Sequence, residues 1–267
     1  METIELDSWD AFEKSLSSFF AQWNKLKKEG GGGYVSTPLF RGQSDASWKL
    51  ETTLERFTKQ TFNTYDYYKI IRGVKPAVVS ITGKGWSLPE FMEGSVMVRP
   101  PTGYEFMIYL RHHGFPSPLL DWTRSPYVAA FFAFRSPQVQ KDGKVAIYSY
   151  VEWGGKGRVG VGGSPIVHGL GPYVESHKRH YAQQCEYTVC LRQDKDERVY
   201  CSHESAFADN RSDQGEIKKF TLPASERRVA LKQLHRMNVT SFSLFGNEES
   251  LMETLAYQEI EDTSETE

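Results

Sequence analysis

The stretch from Leu110 to Phe134, LRHHGFPSPLLDWTRSPYVAAFFAF, constrains the chain more than any other. Gly114, Pro116 and Pro118 exclude a helix interior between His112 and Pro118. Leu119 to Thr123 is a short apolar run that ends in Asp121, Trp122 and Thr123, and it reads as a buried strand. Arg124-Ser125-Pro126 then opens a helix, with Ser125 as N-cap and Pro126 as the first helical residue. Val128, Phe131, Phe132, Phe134 and the alanines at 129, 130 and 133 give that helix an apolar surface wide enough to pack on two sides. A strand that ends on polar side chains where a helix begins sets those side chains beside free N–H groups and a partial positive charge, which suits an anion. The same pattern also suits an ordinary core strand–turn–helix with a capped start.

The chain has 267 residues, enough for one large domain or two small ones. An aromatic fraction of 13% calls for a substantial core or an aromatic-lined cleft. A net charge of -2 supplies no global attraction to nucleic acid, so any such contact needs a local basic patch. The start METIELDSWDAFEKS is acidic and amphipathic rather than a signal peptide, and no apolar run approaches the ~20 residues of a membrane span. No membrane partner is expected. Cys185, Cys190 and Cys201 lack metal-ligand spacing and point to a reducing compartment, hence a cytoplasmic protein.

Taken in order, Ser8 to Lys28 reads as an amphipathic helix capped by Asp7 or Ser8, and Gly30 to Gly33 as a flexible link. The aromatic face of that helix is a candidate surface for a partner, with core packing as the alternative. Val35 to Phe40 is a strand ending at Arg41-Gly42, where Gly42 permits close backbone approach and Arg41 offers a planar fork of donors. Arg41 could equally pair with Asp45 or Glu51 at the surface. A short helix near Leu54, a tyrosine-rich helix from Phe62 to Val74, a loop-rich insertion over Pro76 to Pro101, and a short helix from Gly103 to Leu110 follow. Lys144 to Val151 is a strand, and Gly154 to Gly163 a mobile loop with no Gly-Lys-Ser/Thr ending. His177 and His180 lack a third metal ligand, so no metal is expected, and the basic run around them suits solvated charge or phosphate contact. Gln183 to Leu191 reads as a strand. There Gln184 and Glu186 share one face, as a site or as a solvent-facing edge. Arg192 to Gln214 is irregular. Ile217 to Leu222 is a strand, Ser225 to Asn238 a helix capped by Ser225, Thr240 to Phe245 a strand, Glu248 to Tyr257 a helix, and Glu259 to Glu267 a disordered acidic tail. The class is α+β.

Phe40-Arg41-Gly42, then Trp48, Leu50, Leu54 and Arg56, then the His112 to Phe132 block, Gln184 and Lys218 to Leu255 together resemble the FRG domain, over roughly Pro38 to Ala256. The order of Arg41, Asp121-Trp122-Thr123 with Ala129 and Phe132, and Gln184-Cys185-Glu186 also resembles ADP-ribosyltransferases of the Arg-Ser-Glu type. That second resemblance implies a split antiparallel sheet core over residues 34 to 257 with N-terminal helices ahead of it. It also implies NAD as co-substrate. Arg41, with Gly42, would take the pyrophosphate, and Thr123 or Asp121 the nicotinamide-side ribose. Trp122, Tyr127 and Phe131 would wall the ring, Ser125 would stand at the helix start, Glu186 would stabilise the oxocarbenium-like state, and Gln184 would orient the acceptor. His112 and His113 could be structural, touch phosphate or serve the acceptor. The implied acceptor is a nucleic acid, RNA foremost, or a protein, with Arg111, Arg124 and Arg135 and the His177 to His180 run as phosphate contacts. The implied setting is a bacterial toxin or anti-phage effector, with an antitoxin as possible partner. A non-catalytic FRG module that binds a nucleotide or partner, and an NAD glycohydrolase, are the alternatives.

Overall fold

The computed structural model describes residues 1–29, 34–92, 100–136, 143–153, 163–175, 178–207 and 215–261. The Gly30 to Gly33 link, most of the Gly154 to Gly163 loop, His177, and the tail from 262 onward lie outside them. The fold is α+β, built on one eight-stranded, mostly antiparallel sheet with helices packed on it.

The strands are β1 (Glu2–Glu5), β2 (Leu39–Gln43), β3 (Leu120–Thr123), β4 (Lys144–Val151), β5 (Ile166–Gly169), β6 (Cys185–Asp194), β7 (Glu197–Tyr200) and β8 (Glu216–Pro223). They lie in the order β1-β8-β4-β2-β3-β6-β5, with β7 paired to the far end of β6. Among the described strands only β1 and β8 run parallel. The seam between β2 and β3 is the thinnest part of the sheet. Its register is a single pair, Phe40 with Thr123, whereas β2 pairs with β4 over all five of its residues. The sheet is therefore nearly divided into β1-β8-β4-β2 and β3-β6-β5.

Each half has its own apolar cover. Helix α1 (Trp9–Glu29) buries Trp9, Phe12, Leu16 and Phe19 against Phe40, Ile147 and Phe220 of the first half. The aromatic face of α1 thus belongs to the core, and Ser8 is its cap, accepting from the Ala11 N–H at 3.2 Å. Helices α5 (Pro126–Phe134) and α8 (Arg227–Arg236) share that cluster. The second half is covered by α3 (Thr64–Thr82) and α4 (Tyr104–His112), through Tyr67, Ile71, Tyr104 and Met107 against Tyr187, Val189 and Leu191. On the opposite face Leu39, Trp122, Tyr148 and Tyr150 pack with Leu50 and with α7 (His203–Phe207). The remaining helices are α2 (Thr53–Phe57), α6 (Lys178–Ala182), α9 (Ser241–Phe245) and α10 (Glu248–Ala256). No described helix is long and apolar enough to cross a membrane.

Several expectations change. The first predicted strand lies later than its apolar run, so Arg41 and Gly42 sit inside β2 rather than beyond its end. Helix α3 runs through Pro76 to a left-handed Gly83 cap, absorbing the start of the supposed insertion. The irregular segment after Leu191 holds the rest of β6, all of β7, and α7. Thr240 to Phe245 is helical, because Thr240 and Ser243 form a reciprocal capping box that the apolar spacing hid. Ser225 falls in a 3-10 turn without capping a helix, and the neighbouring Glu226 accepts from the Trp9 N–H at 2.8 Å.

Gly42 marks a close approach of sheet and helix backbone. A Cβ there would stand 1.9 Å from the Ala129 carbonyl oxygen and 2.7 Å from the Ala133 nitrogen of α5. The glycine lets α5 lie directly on β2, which brings the Ser125 end of α5 to the seam. Gly42→Ala is expected to destabilise the protein by about 3 kcal/mol, as overpacking against rigid backbone does. Urea unfolding checks this, and an unchanged midpoint would show that α5 has room to retreat.

Candidate functional site

Where β2 and β3 part, a cavity of about 450 Å3 opens, within the size range of small-molecule sites. One wall is Phe40 to Ser44 with Trp48 and Arg56. The other is Asp121 to Thr123 with Gln183 and Cys185, and Ala129 and Phe132 of α5 close it. A second cavity, of about 100 Å3, is apolar and lies under α3 and α4. It is too small for a nucleotide.

Charge in the cleft centres on Asp121. Its Oδ1 accepts from Arg41 Nη1 and from Arg111 Nη2, and its backbone oxygen accepts a second bond from Arg41 Nη1 at 2.8 Å. Both arginine side chains are largely buried, 14% and 9% exposed. Desolvation pushes the Asp121 carboxyl up, but the Arg111 and Arg41 guanidiniums outweigh it and hold the group far below the usual carboxylate range. Arg111 also gives Nη1 to Thr53 Oγ1 at 3.0 Å, which ties α4 to α2. Arg41 is therefore aimed by Asp121, not left at the surface with Asp45 or Glu51.

Thr123 is buried at the seam. Its hydroxyl donates to the Gln183 carbonyl at 2.7 Å and accepts from the Ser125 N–H at 3.1 Å. Ser125 caps α5 by accepting from the Val128 N–H at 3.3 Å. Both hydroxyls are thus committed to the strand–turn–helix, although Thr123 still lines the cleft. Cys185 lines it too, but burial, aided by Asp121, pushes its thiol up to about 12, so no thiolate faces the cleft.

Glu186 stands on β6, paired in register with Trp122 but not itself among the residues that line the cleft. Its side chain is 13% exposed, and Oε1 accepts from Arg124 Nε at 2.5 Å. Gln184 does not share a strand face with it. Gln184 precedes β6 in a left-handed turn (φ 49°), is exposed, and gives its carbonyl to the Arg124 N–H at 3.1 Å. The turn breaks the alternation that would have paired the two side chains.

The expected aromatic wall is partly wrong. Trp122 lines the cleft, but Tyr127 turns toward Trp9, ring centroids 6.4 Å apart, and Phe131 is buried in the α1 core. Phe132, Phe40 and Trp48 line the cleft in their place. An apolar helix gives no local sign of which aromatic looks toward the seam. His112 lies outside the cleft, its Nε2 2.7 Å from the Tyr187 hydroxyl, and His113 packs on Tyr109. The arginines expected to contact phosphate are each tied to a carboxylate: Arg111 to Asp121, Arg124 to Glu186 and Arg135 to Glu253. Gln43, Trp48, Arg56 and Gln183 had no assigned role in the sequence reading. Trp48 precedes a short capped helix and Arg56 lies within it, both in the FRG-like pattern, which was the available signal.

Behind Trp122 runs a buried polar chain. Trp122 Nε1 donates to Thr188 Oγ1 at 2.8 Å, and that oxygen lies 2.9 Å from His203 Nε2. His203 is fully buried and its Nδ1 has no partner among the described residues. Burial, with Arg41 and Arg111 nearby, lowers its pKa to about 3 from an ordinary 6.5. Between those values the unfolded chain holds the extra proton, so stability falls as pH falls through that window. His203→Gln should flatten the pH dependence of the urea midpoint between pH 6.5 and 4. A slope equal to the wild type's would mean that His203 is not held neutral.

Residues 36–142 match the family model of the FRG domain, while no curated protein and no solved structure matches the chain. The matched residues carry β2, α2, α3, α4, β3 and α5, and so both arginines that grip Asp121 and the walls of the cleft contributed by β2 and β3. They end before β6, leaving Gln184, Glu186 and the closing segment outside the match.

Proposed function

We propose that the cleft between β2 and β3 binds NAD and that the protein is an ADP-ribosyltransferase, with RNA as the foremost acceptor. The observation that carries this is a nucleotide-sized opening in the sheet lined by an aimed guanidinium and aromatic side chains, with the carboxylate of Glu186 on the next strand in register with Trp122 of the lining. Arg41, oriented by Asp121, turns its remaining donors to the pyrophosphate. Trp122 and Phe132 wall the nicotinamide. Breaking the bond from the ribose C1′ to the nicotinamide nitrogen sends its electron pair to the ring and leaves positive charge on the ribose. Glu186 stabilises that charge through a ribose hydroxyl. Arg124 occupies Oε1, and Oε2 accepts from no described residue, so Oε2 is the oxygen that serves. The acceptor's nucleophile then bonds to C1′ and gives up its proton. Gln184, exposed at the mouth of β6, suits contact with the acceptor better than a place inside the cleft.

The ion pairing of Arg111, Arg124 and Arg135 weakens the phosphate patch foreseen for RNA and keeps a protein acceptor as the second reading. The activity fits a toxin or anti-phage effector acting in the cytoplasm, where an antitoxin would restrain it.

The test supplies NAD labelled on its adenylate half together with RNA or a cell lysate. Label is expected on RNA. Label on protein instead selects the second reading, and nicotinamide release without label selects a glycohydrolase. Binding of NAD without nicotinamide release leaves a non-catalytic FRG module. Glu186→Gln should lower kcat/KM by about thirtyfold or more, the loss of ~2 kcal/mol of transition-state stabilisation. Full turnover by that variant would remove Glu186 from the mechanism. Arg41→Lys should raise KM more than it lowers kcat.

A further inference from the structure

The β2 wall of the cleft carries two side chains that the chemistry above leaves unused. Trp48 is 55% exposed, a large ring left in water at the rim of the cavity. Arg56 lines the same wall, and among the described residues it is the lining cation without a carboxylate partner. Its Nη1 gives a single bond, to the Glu51 carbonyl at 3.0 Å. Arg41, by contrast, is held by Asp121.

Both are mounted on stiff supports. Asp45 Oδ1 accepts from the N–H and the hydroxyl of Ser47, each at 2.7 Å, which closes the turn before Trp48. Gln43 Nε2 donates to the Lys49 carbonyl at 3.1 Å and pins the residue after Trp48 to the end of β2. The Oε1 of Gln43 is buried and has no donor among the described residues. A Thr52–Glu55 capping box fixes α2 beneath Arg56. Such preorganisation lowers the ordering cost of binding. Partial desolvation, then Arg41 and Arg111 nearby, work against the charge on Arg56 even though the side chain reaches solvent, and an anion in the cleft offsets that repulsion.

We propose that Trp48 and Arg56 form a subsite for a nucleoside 5′-phosphate, Arg56 taking the phosphate and Trp48 the face of the base. The inference rests on reading the cleft as an NAD site and deepens it by assigning the adenylate half. Glu186, where the glycosidic bond breaks, adjoins the β3 wall. Trp48 and Arg56 belong to the β2 wall, so the half of NAD that does not react lies with them.

The test is calorimetric titration of the full chain with AMP, NAD and nicotinamide mononucleotide, using the wild type, Trp48→Ala, Arg56→Gln and Arg56→Lys. Wild-type urea midpoints in the variants establish that they fold. Both Trp48→Ala and Arg56→Gln should weaken AMP and NAD binding about tenfold or more, since base stacking and a phosphate contact are each worth that much. Arg56→Lys should restore part of the loss, and nicotinamide mononucleotide should bind all variants alike. A wild type that binds AMP and loses it in these variants supports the subsite even where NAD is never cleaved. A wild type that binds NAD as tightly as both variants overturns the subsite and leaves the NAD reading standing. A wild type that binds no adenine nucleotide overturns both.

Discussion

One carboxylate sits where two guanidiniums and two strands meet, and the cleft depends on it. Asp121 takes bonds from Arg41 of β2 and Arg111 of α4 at the point where the sheet narrows to a single register pair. Continued pairing of β2 with β3 would have filled the gap with backbone hydrogen bonds. The strands separate instead, and side-chain charge spans the opening. Two largely buried guanidiniums need this partner, because a buried cation left unpaired costs several kcal/mol. The Arg–Asp–Arg arrangement therefore keeps the gap polar and also fixes the direction of Arg41.

The surrounding elements reinforce that gap. Gly42 lets α5 lie against β2, so the Ser125 cap and the Thr123 hydroxyl fall at the seam. Thr123 in turn holds Gln183, which shapes the turn leading into β6 and brings Glu186 level with Trp122. On the opposite face, Thr188 and a neutral His203 support Trp122 from behind. Local choices of small or hydroxylated residues thus propagate through backbone contacts to the placement of one tryptophan and one glutamate.

Much of this frame could be read from local chemistry. The strand, cap and helix of Leu119 to Phe134 are marked by proline, serine and a dense apolar run, and they form where those signals put them. The same holds for Lys144 to Val151, which is buried on both faces. Failures cluster where a distant contact decides. β1 is a short edge strand whose pairing to β8 has no local signature. The α9 segment is a local exception, which looks like a strand until the Thr240–Ser243 capping box is considered. Within the site, Arg41 and Asp121 were both identifiable, but their bond to each other and to Arg111 spans distant parts of the chain, and no period in the sequence encodes it. Tyr127 and Phe131 were misassigned because helix rotation about the seam is set by Gly42, not by aromatic spacing.

The central claim, that Asp121 and the arginines act as one unit across the parted strands, is tested most directly by a double-mutant cycle. Asp121→Asn, Arg111→Met and the pair would be unfolded in urea at neutral pH. Coupling of about 0.5–3 kcal/mol is predicted for groups sharing one salt-bridge network. Losses that add to within about 0.5 kcal/mol, the behaviour of independent sites, would contradict it.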